Sequence, residues 1–272
     1  TATVDAADAT ILISKLTNAA ATDALTLTVN GATATAAQLD VLDNKTSVAV
    51  KVDATQVTGT FTELNKVYVT NKANFTALGN ETVTIDGETV AANANIIGNA
   101  TTGVVTATVA AATAATLNAA LTDTTVNAYN LTVNGATAAA ADLIALDAKT
   151  SVDVLVNATT VTGNINDLTS VYVLANGLTT GDEVVTITGA TTAAQADAIA
   201  DLTTGAVTAT ITAGIASDLN TALVNATAAD ALKLTVNGET ANATVLNTLD
   251  GKTSVTVNAA AIKNIDGAGA TG

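Results

Sequence analysis

Leu25-Thr26-Leu27-Thr28-Val29 alternates apolar and polar side chains with period two, and Asn30-Gly31 follows it. That alternation predicts a half-buried strand, and Asn-Gly predicts the turn that ends it. The pattern recurs. Leu27-Thr28-Val29-Asn30-Gly31 returns as Leu131-Thr132-Val133-Asn134-Gly135 and as Leu234-Thr235-Val236-Asn237-Gly238, at steps of 104 and 103 residues. A second marker, Leu42-Asp43-x-Lys45-Thr46-Ser47-Val48, returns at Leu146–Val152 and Leu249–Val255 with the same steps. Val67-Tyr68-Val69 matches Val171-Tyr172-Val173, and Thr101–Val109 matches Thr203–Ile211. A fixed period of this kind is the mark of a repeat architecture.

A shorter repeat sits inside the long one. Alternating segments begin near Thr1, Leu25, Val48, Thr82, Val105, Asn130, Val152, Val184, Val207, Leu232 and Val255. Their mean spacing, roughly 25 residues, falls in the range of solenoid coils. Between strands, Ala32–Asp43 carries Ala37, Leu39, Val41 and Leu42 as a short apolar stripe, and Ala139–Leu146 and Ala194–Leu202 read the same way. Such stripes predict two or three helical turns, Ala being the best helix former. Loops of a pure β-solenoid are the alternative. The expected fold is therefore an α/β or all-β solenoid: a parallel sheet of about eleven stacked coils, with short helices on the opposite side. In long-repeat terms the segments are 1–24, 25–128, 129–231 and 232–272, read as one continuous solenoid.

Composition narrows the function classes. The chain has no Cys, His, Trp, Met or Pro, and aromatics make up 2%. Most nucleophile–base pairs, proton shuttles and transition-metal sites are thereby closed. Paired carboxylates remain available, yet no segment reads as a cleft-forming insertion, and the expectation is that this is not an enzyme. Charged residues are 12% of the chain while the net charge is −15, which disfavours nucleic acid and anionic membrane surfaces as partners. No apolar run reaches the ~18 residues of a membrane span. An apolar share of 49% and a mean hydropathy of +0.43 point to a packed core rather than to disorder. The apolar residues are small, so the core is expected to be thin and layered.

Candidate chemistry is sparse. Thr26 and Thr28, Thr82 and Thr84, Thr106 and Thr108, Thr186 and Thr188, and Thr208 and Thr210 are expected to form a Thr ladder on an outer sheet face. Read sharply, that ladder is an ice-binding plane, but Ala49, Lys51, Asp153, Leu155 and Lys233 interrupt it. Eight Asn-x-Ser/Thr sequons, at Asn44, Asn74, Asn80, Asn99, Asn130, Asn157, Asn225 and Asn242, offer acceptors for glycosylation. Asp43, Asp147 and Asp250 recur where the second marker turns. A Ca²⁺ site needs several converging oxygens. Each position has one Asp with Lys two residues on, so loop hydrogen bonding near a helix end is expected, and no cofactor. The Lys residues are expected to be solvated or paired with nearby Asp. Tyr68 and Tyr172 occupy equivalent positions and read as packing, Tyr129 being the third tyrosine.

Ala140-Ala141-Asp142-Leu143-x-x-Leu146-Asp147-x-Lys149-Thr150 and Val161-Thr162-Gly163 resemble the Thr/Ala/Asn-rich arrays of giant secreted cell-surface proteins in cyanobacteria and other aquatic bacteria. The resemblance implies an extracellular array: a filament, a surface layer or an adhesin stalk. The calcium-repeat motif of some such proteins is absent here. The chain opens without Met or a signal-peptide pattern, and Thr1-Ala2-Thr3-Val4 matches Thr106–Val109, so it reads as starting mid-repeat. Its uncapped ends suggest a cut array or end-to-end stacking, with self-assembly as the expected partnership. A glycan or another surface ligand is the alternative.

Overall fold

The computed structural model describes residues 1–172 and 177–267. Val173 of the third sequence marker, and Ala268 and Gly269 at the close, lie outside them. The fold is α/β, with parallel strand pairs alternating with short helices. Packing divides the chain into two compact units. One comprises Thr1–Ala111, Thr116–Thr132 and Ala148–Asp153; the other comprises Ala112–Ala115, Val133–Asp147 and Val154–Gly272. This division does not follow the long-repeat boundaries of the sequence.

The first unit runs β1 (Ala2–Thr3), α1 (Ala9–Lys15), β2 (Leu25–Thr26), β3 (Thr28–Val29), β4 (Thr33–Thr35), α2 (Ala36–Asp43), β5 (Val50–Val52), β6 (Gln56–Gly59) and α3 (Phe61–Asn65). It continues through β7 (Phe75–Thr76), β8 (Thr82–Thr89), α4 (Ala91–Gly98) and β9 (Val105–Val109). Helix α5 (Ala114–Ala120) has residues in both units, and β10 (Ala128–Asn130) belongs to the first. Its main sheet has the order β4-β6-β8-β9-β10, so strands are added in chain order, each parallel to the last. A second sheet, β3-β5-β7, is built by the same rule.

After β11 (Thr132–Val133), which has one residue in each unit, the second unit repeats the plan with β12 (Thr137–Ala139), α6 (Ala140–Asp147), β13 (Val154–Val156), β14 (Thr160–Gly163) and α7 (Ile165–Tyr172). Next come β15 (Leu178–Thr179), β16 (Val184–Thr191), α8 (Ala193–Ala200), β17 (Val207–Ile211) and α9 (Ala216–Ala222). The last elements are β18 (Ala231–Lys233), β19 (Thr240–Asn242), α10 (Ala243–Asp250) and β20 (Asn264–Asp266). Its sheets are β12-β14-β16-β17-β18, β11-β13-β15 and the pair β19-β20.

Two expectations about strands need correction. Asn30-Gly31 does not lead straight into a helix: the chain forms β4 first, and α2 starts at Ala36 rather than at Ala32. The reason is local. Thr35 ends the strand and also caps the helix, its hydroxyl accepting from Gln38 N while the Gln38 side chain accepts from Thr35 N. Thr60 with Glu63 and Thr192 with Gln195 build the same reciprocal box. The first two caps let strands of three and four residues pass directly into a helix, and the third does so for the eight-residue β16. The segment beginning at Val255 forms no strand, and only an isolated bridge, Thr235↔Asn258, marks its place.

Strands this short have no stability alone. What holds them is a row of inward side chains: Ala34, Val57, Val83 and Val105 sit in register across the first main sheet, none more than 1% exposed. Ala138, Val161, Val185 and Val207 form the equivalent row in the second. Helices α1 to α4 pack against one another in sequence, and α2, α3 and α4 lie on the main sheet. They turn Leu12, Leu39, Leu64 and Ile97 into the same core. Leu39 is wholly buried, whereas Val41 on the same helix is 42% exposed. Leu39→Ala is expected to lower unfolding free energy by about 2–5 kcal/mol, and Val41→Ala by no more than ~0.5 kcal/mol. Urea titration of both variants checks the contrast.

Candidate functional site: the corner that links each repeat to the one before

The Lys-Thr-Ser marker is a corner whose three side chains all reach back one short repeat. Thr46, Thr150 and Thr253 are 5–7% exposed, and Thr101 and Thr203 occupy the same place in the alternate repeats. In all five the hydroxyl oxygen accepts from the backbone N–H two residues ahead: Val48 at 3.0 Å, Gly103 at 3.0 Å, Val152 at 3.1 Å, Gly205 at 3.0 Å and Val255 at 3.1 Å. This is the Thr turn that competes with regular secondary structure and so ends it. Four of the hydroxyls donate to a carbonyl in, or just before, a strand 20 or 21 residues back. The acceptors are Leu25 O at 2.6 Å, Tyr129 O at 2.7 Å, Glu183 O at 2.9 Å and Leu232 O at 2.8 Å. Leu25 N and Leu232 N also donate to the same oxygens as their carbonyls meet.

The residues on either side complete the link. Ser47, Ser151 and Ser254 donate through backbone N–H to Asp23 O, Asn127 O and Asp230 O at 2.7, 2.8 and 2.6 Å. Their hydroxyls bond the same carbonyls. Lys45 Nζ donates to Leu16 O at 2.8 Å, and Lys149 and Lys252 donate to Leu121 O and Leu223 O. Leu16 and Leu223 are the C-terminal caps of α1 and α9, and Leu121 follows the last residue of α5. A cation at a helix C-terminus satisfies an orphan carbonyl and opposes the negative end of the dipole. This corrects the expectation for these three lysines: they are neither simply solvated nor paired with Asp. Lys51 with Asp53, and Lys66 with Asp40, do form pairs.

Buried acids anchor the strand on the other side of the corner, and the sequence reading missed them. Glu81 and Glu183 are each 3% exposed. Glu81 accepts from Gly79 N, Asn80 N and the Tyr68 hydroxyl; Glu183 accepts from Gly181 N and the Tyr172 hydroxyl. Backbone donors of this kind make a buried carboxylate tolerable. The only available signal was position: Asn80-Glu81 and Asp182-Glu183 precede equivalent strands. Gly103 and Gly205 meet the same places from the next repeat. A Cβ would fall 1.9 Å from Glu81 O and 2.2 Å from Glu183 O, so only glycine fits.

One corner differs. Asp230 accepts from Val207 N at 2.7 Å through Oδ1 and from Thr227 N at 2.7 Å through Oδ2. At the matching place Asn127 accepts from Val105 N at 2.7 Å, and its amide donates to Asp123, Thr125 O and the Tyr129 hydroxyl. Tyr129 stands where the neighbouring long repeats have Leu25 and Leu232, and its hydroxyl donates to Asp123 at 3.0 Å. An amide replaces the acid because a carboxylate here would face Asp123.

The expected Thr ladder is present in altered form. Thr26 and Thr28 belong to other sheets, paired with Thr3 and Lys51. The row that does form is Thr35, Thr58, Thr84 and Thr106, ending at Ala128. Its counterpart is Ala139, Thr162, Thr186, Thr208 and Ala231. Thr108 and Thr210 leave the expected pairing because β8 and β16 bulge, setting Glu88 and Ala190 opposite them. Lys233 pairs with Thr210 as an interruption.

Asp43, Asp147 and Asp250 are the last residues of α2, α6 and α10, at helix ends as expected, and Asp43 accepts from Asn74 Nδ2 at 3.0 Å. Among the described residues no group of three or more Asp or Glu is placed to hold a metal ion. A hollow of about 310 Å³ is lined by Asp43, Asn44, Thr46, Ser47 and Asn74, with no second carboxylate for acid–base work. All eight sequon asparagines are exposed. The amides of Asn44, Asn74, Asn99 and Asn225 donate to Asp40 O, Asp43, Asn95 O and Asp197, and Asn242 caps α10. No helix among the described residues is long and apolar enough to cross a membrane.

Three outcomes are expected. Thr253→Val leaves Leu232 N and Val255 N short of an acceptor and should cost about 1–3 kcal/mol, while Thr253→Ser retains most of the stability; chemical denaturation reads both. Asn127→Asp should destabilise, and Asp123→Ala should recover most of that loss in a double-mutant cycle. All three tyrosine hydroxyls are held above the usual phenol value of 10.0, first by burial, then by Glu81, Asp123 and Glu183 respectively. The folded chain then binds these protons more tightly than the unfolded chain does. That contribution is complete below pH 10.0 and is lost as pH rises above it. Absorbance of tyrosinate should therefore appear only together with unfolding.

Compared with known family models, curated proteins and solved structures, the chain matches none.

Proposed function

We propose that this chain is a structural segment of an extracellular array, a solenoid in which each strand–helix coil is secured to the one before. The observation that carries the proposal is the fivefold recurrence of the same threonine turn, at Thr46, Thr101, Thr150, Thr203 and Thr253. Here the recurring side chains are used up in bonds between neighbouring repeats. Parallel pairing in chain order has no built-in stop, which suits a unit made to be continued. The role is mechanical: bonds between adjacent coils carry load along the stack. The net charge of −15 keeps the surface hydrated and opposes clumping. Partners on this reading are further copies of the same unit, within a longer chain or between chains.

A second reading makes the outer sheet face a binding surface for ice or another ordered ligand, on the strength of the Thr35–Thr58–Thr84–Thr106 row. It is the weaker one, since the row ends at Ala128 and its counterpart is bounded by Ala139 and Ala231.

Protease treatment of intact cells of the source organism, with peptide identification, tests location directly. Release of peptides from this chain before lysis is expected, alongside filaments or a layer in electron micrographs of the shed material. Peptides that appear only after lysis would overturn the proposal.

A further inference from the structure

Three Asn-Gly pairs stand at one position of the long repeat, and neither the corner nor the core uses their side chains. Asn30-Gly31 joins β3 to β4, Asn134-Gly135 joins β11 to β12, and Asn237-Gly238 precedes β19. The three asparagines are exposed. Each is held by its backbone N–H, donating to Ala7 O, Ala112 O and Gly214 O at 3.1, 2.9 and 2.9 Å. Among the described residues their side-chain amides have no hydrogen-bond partner, and the following glycine N–H groups donate to none. An asparagine side chain next to an unengaged glycine nitrogen is the arrangement from which a five-membered imide closes, since glycine has no Cβ to block the approach.

We propose that Asn134 and Asn237 are sites of spontaneous self-modification, and that Asn30 is shielded from it by the fold. The Gly135 or Gly238 nitrogen loses its proton to solvent base and attacks the Asn Cγ. A nitrogen–carbon bond forms, the Cγ–amide bond breaks, and ammonia leaves with the returned proton. Water then opens the cyclic imide at either carbonyl, giving aspartate or its β-linked isomer. No oxidant or further reactant is needed. Either product adds one negative charge, and the β-linked form lengthens the backbone by one carbon between two strands with fixed partners.

Surroundings separate the three sites. Gly135 and Gly238 are exposed, with φ of 114° and 98°. A Cβ added to them would meet only Thr113 Cγ2 at 3.3 Å or Ile215 Cγ2 at 3.7 Å. Gly31 is half-buried, and the same construction falls 2.9 Å from Asp8 Cβ. The Asp8 side chain, held in place as the cap of α1, thus crowds this turn and leaves the imide less room to close.

The test is ageing of the folded chain in mildly alkaline buffer, followed by cleavage at Lys and mass mapping. The segments 16–45, 73–149 and 234–252 carry the three sites, 150–233 carries Asn157, and fragment spectra assign each acid to its residue, separating Asn134 from Asn130. Isoaspartyl methyltransferase with labelled methyl donor serves as the probe for the β-linked product. Acid is expected to accumulate several-fold faster at Asn134 and Asn237 than at Asn30, and the three rates should converge in denaturant. Asn134→Gln should abolish the signal in its segment with the fold intact. Equal rates at all three sites in the folded chain would overturn the shielding. Rates at Asn134 and Asn237 no higher than at exposed Asn130 and Asn157, which precede Leu131 and Ala158, would overturn the proposal altogether.

Discussion

A threonine hydroxyl buried at a turn has one proton to give and lone pairs to fill; here the oxygen serves its own turn and, at four of the five corners, the proton serves the preceding repeat. Its oxygen stops the chain by accepting the N–H two residues ahead, and its proton fixes the strand one repeat back. Everything else in the repeat depends on that double use. If the turn fell one residue earlier or later, every inward valine of the following strand would rotate to the outer face. Lysine and serine beside it add a helix cap and a second strand bond. Local folding and stacking on the preceding repeat are thereby a single event.

The core explains why so much is asked of the corner. Aromatics are 2% of the residues, and the inward rows consist of Ala, Val, Leu and Ile. Small side chains allow strands and helices to pack in thin layers, but each buried residue contributes modestly. Apart from the eight-residue β8 and β16, the strands have two to five residues and supply few ladder bonds apiece. Buried hydrogen bonds, repeated from turn to turn, make up specificity that a thin apolar core lacks. The Tyr129 corner shows the tolerance of the scheme. A bulky phenol in place of Leu is accommodated because Asn127 and Asp123 change with it, and because Gly98 leaves room: a Cβ there would lie 2.6 Å from both the Tyr129 hydroxyl and Asp123.

Much of the α/β organisation was legible in the sequence, for a physical reason. Period-two alternation around Leu27 and the apolar stripe of Leu39 and Leu42 report burial directly. The spacing of the markers reports how often the pattern starts again. What could not be read was which short strand joins which sheet. Thr33-Ala34-Thr35 is too brief to show a period, and its strand character comes only from pairing with Gln56-Val57-Thr58. The Thr row was misplaced for the same reason, since sheet membership is a tertiary property. Among functional residues, the Lys-Thr-Ser marker stood out but its chemistry did not. Lys45 reaches a carbonyl 29 residues away, and no local rule anticipates that partner. Glu81 and Glu183 were hidden because an acid before a strand normally signals solvent, and here backbone N–H groups take solvent's place.

The claim at the centre is that one corner, repeated, holds neighbouring repeats together. Native-state hydrogen exchange at Val48, Gly103, Val152, Gly205 and Val255 tests it most directly, because each of these amides donates to a corner threonine. The account predicts strong protection at all five, released only by openings that also expose the strand amides they border. Exchange at those five positions as fast as at unbonded loop amides, with the strands still protected, would contradict it.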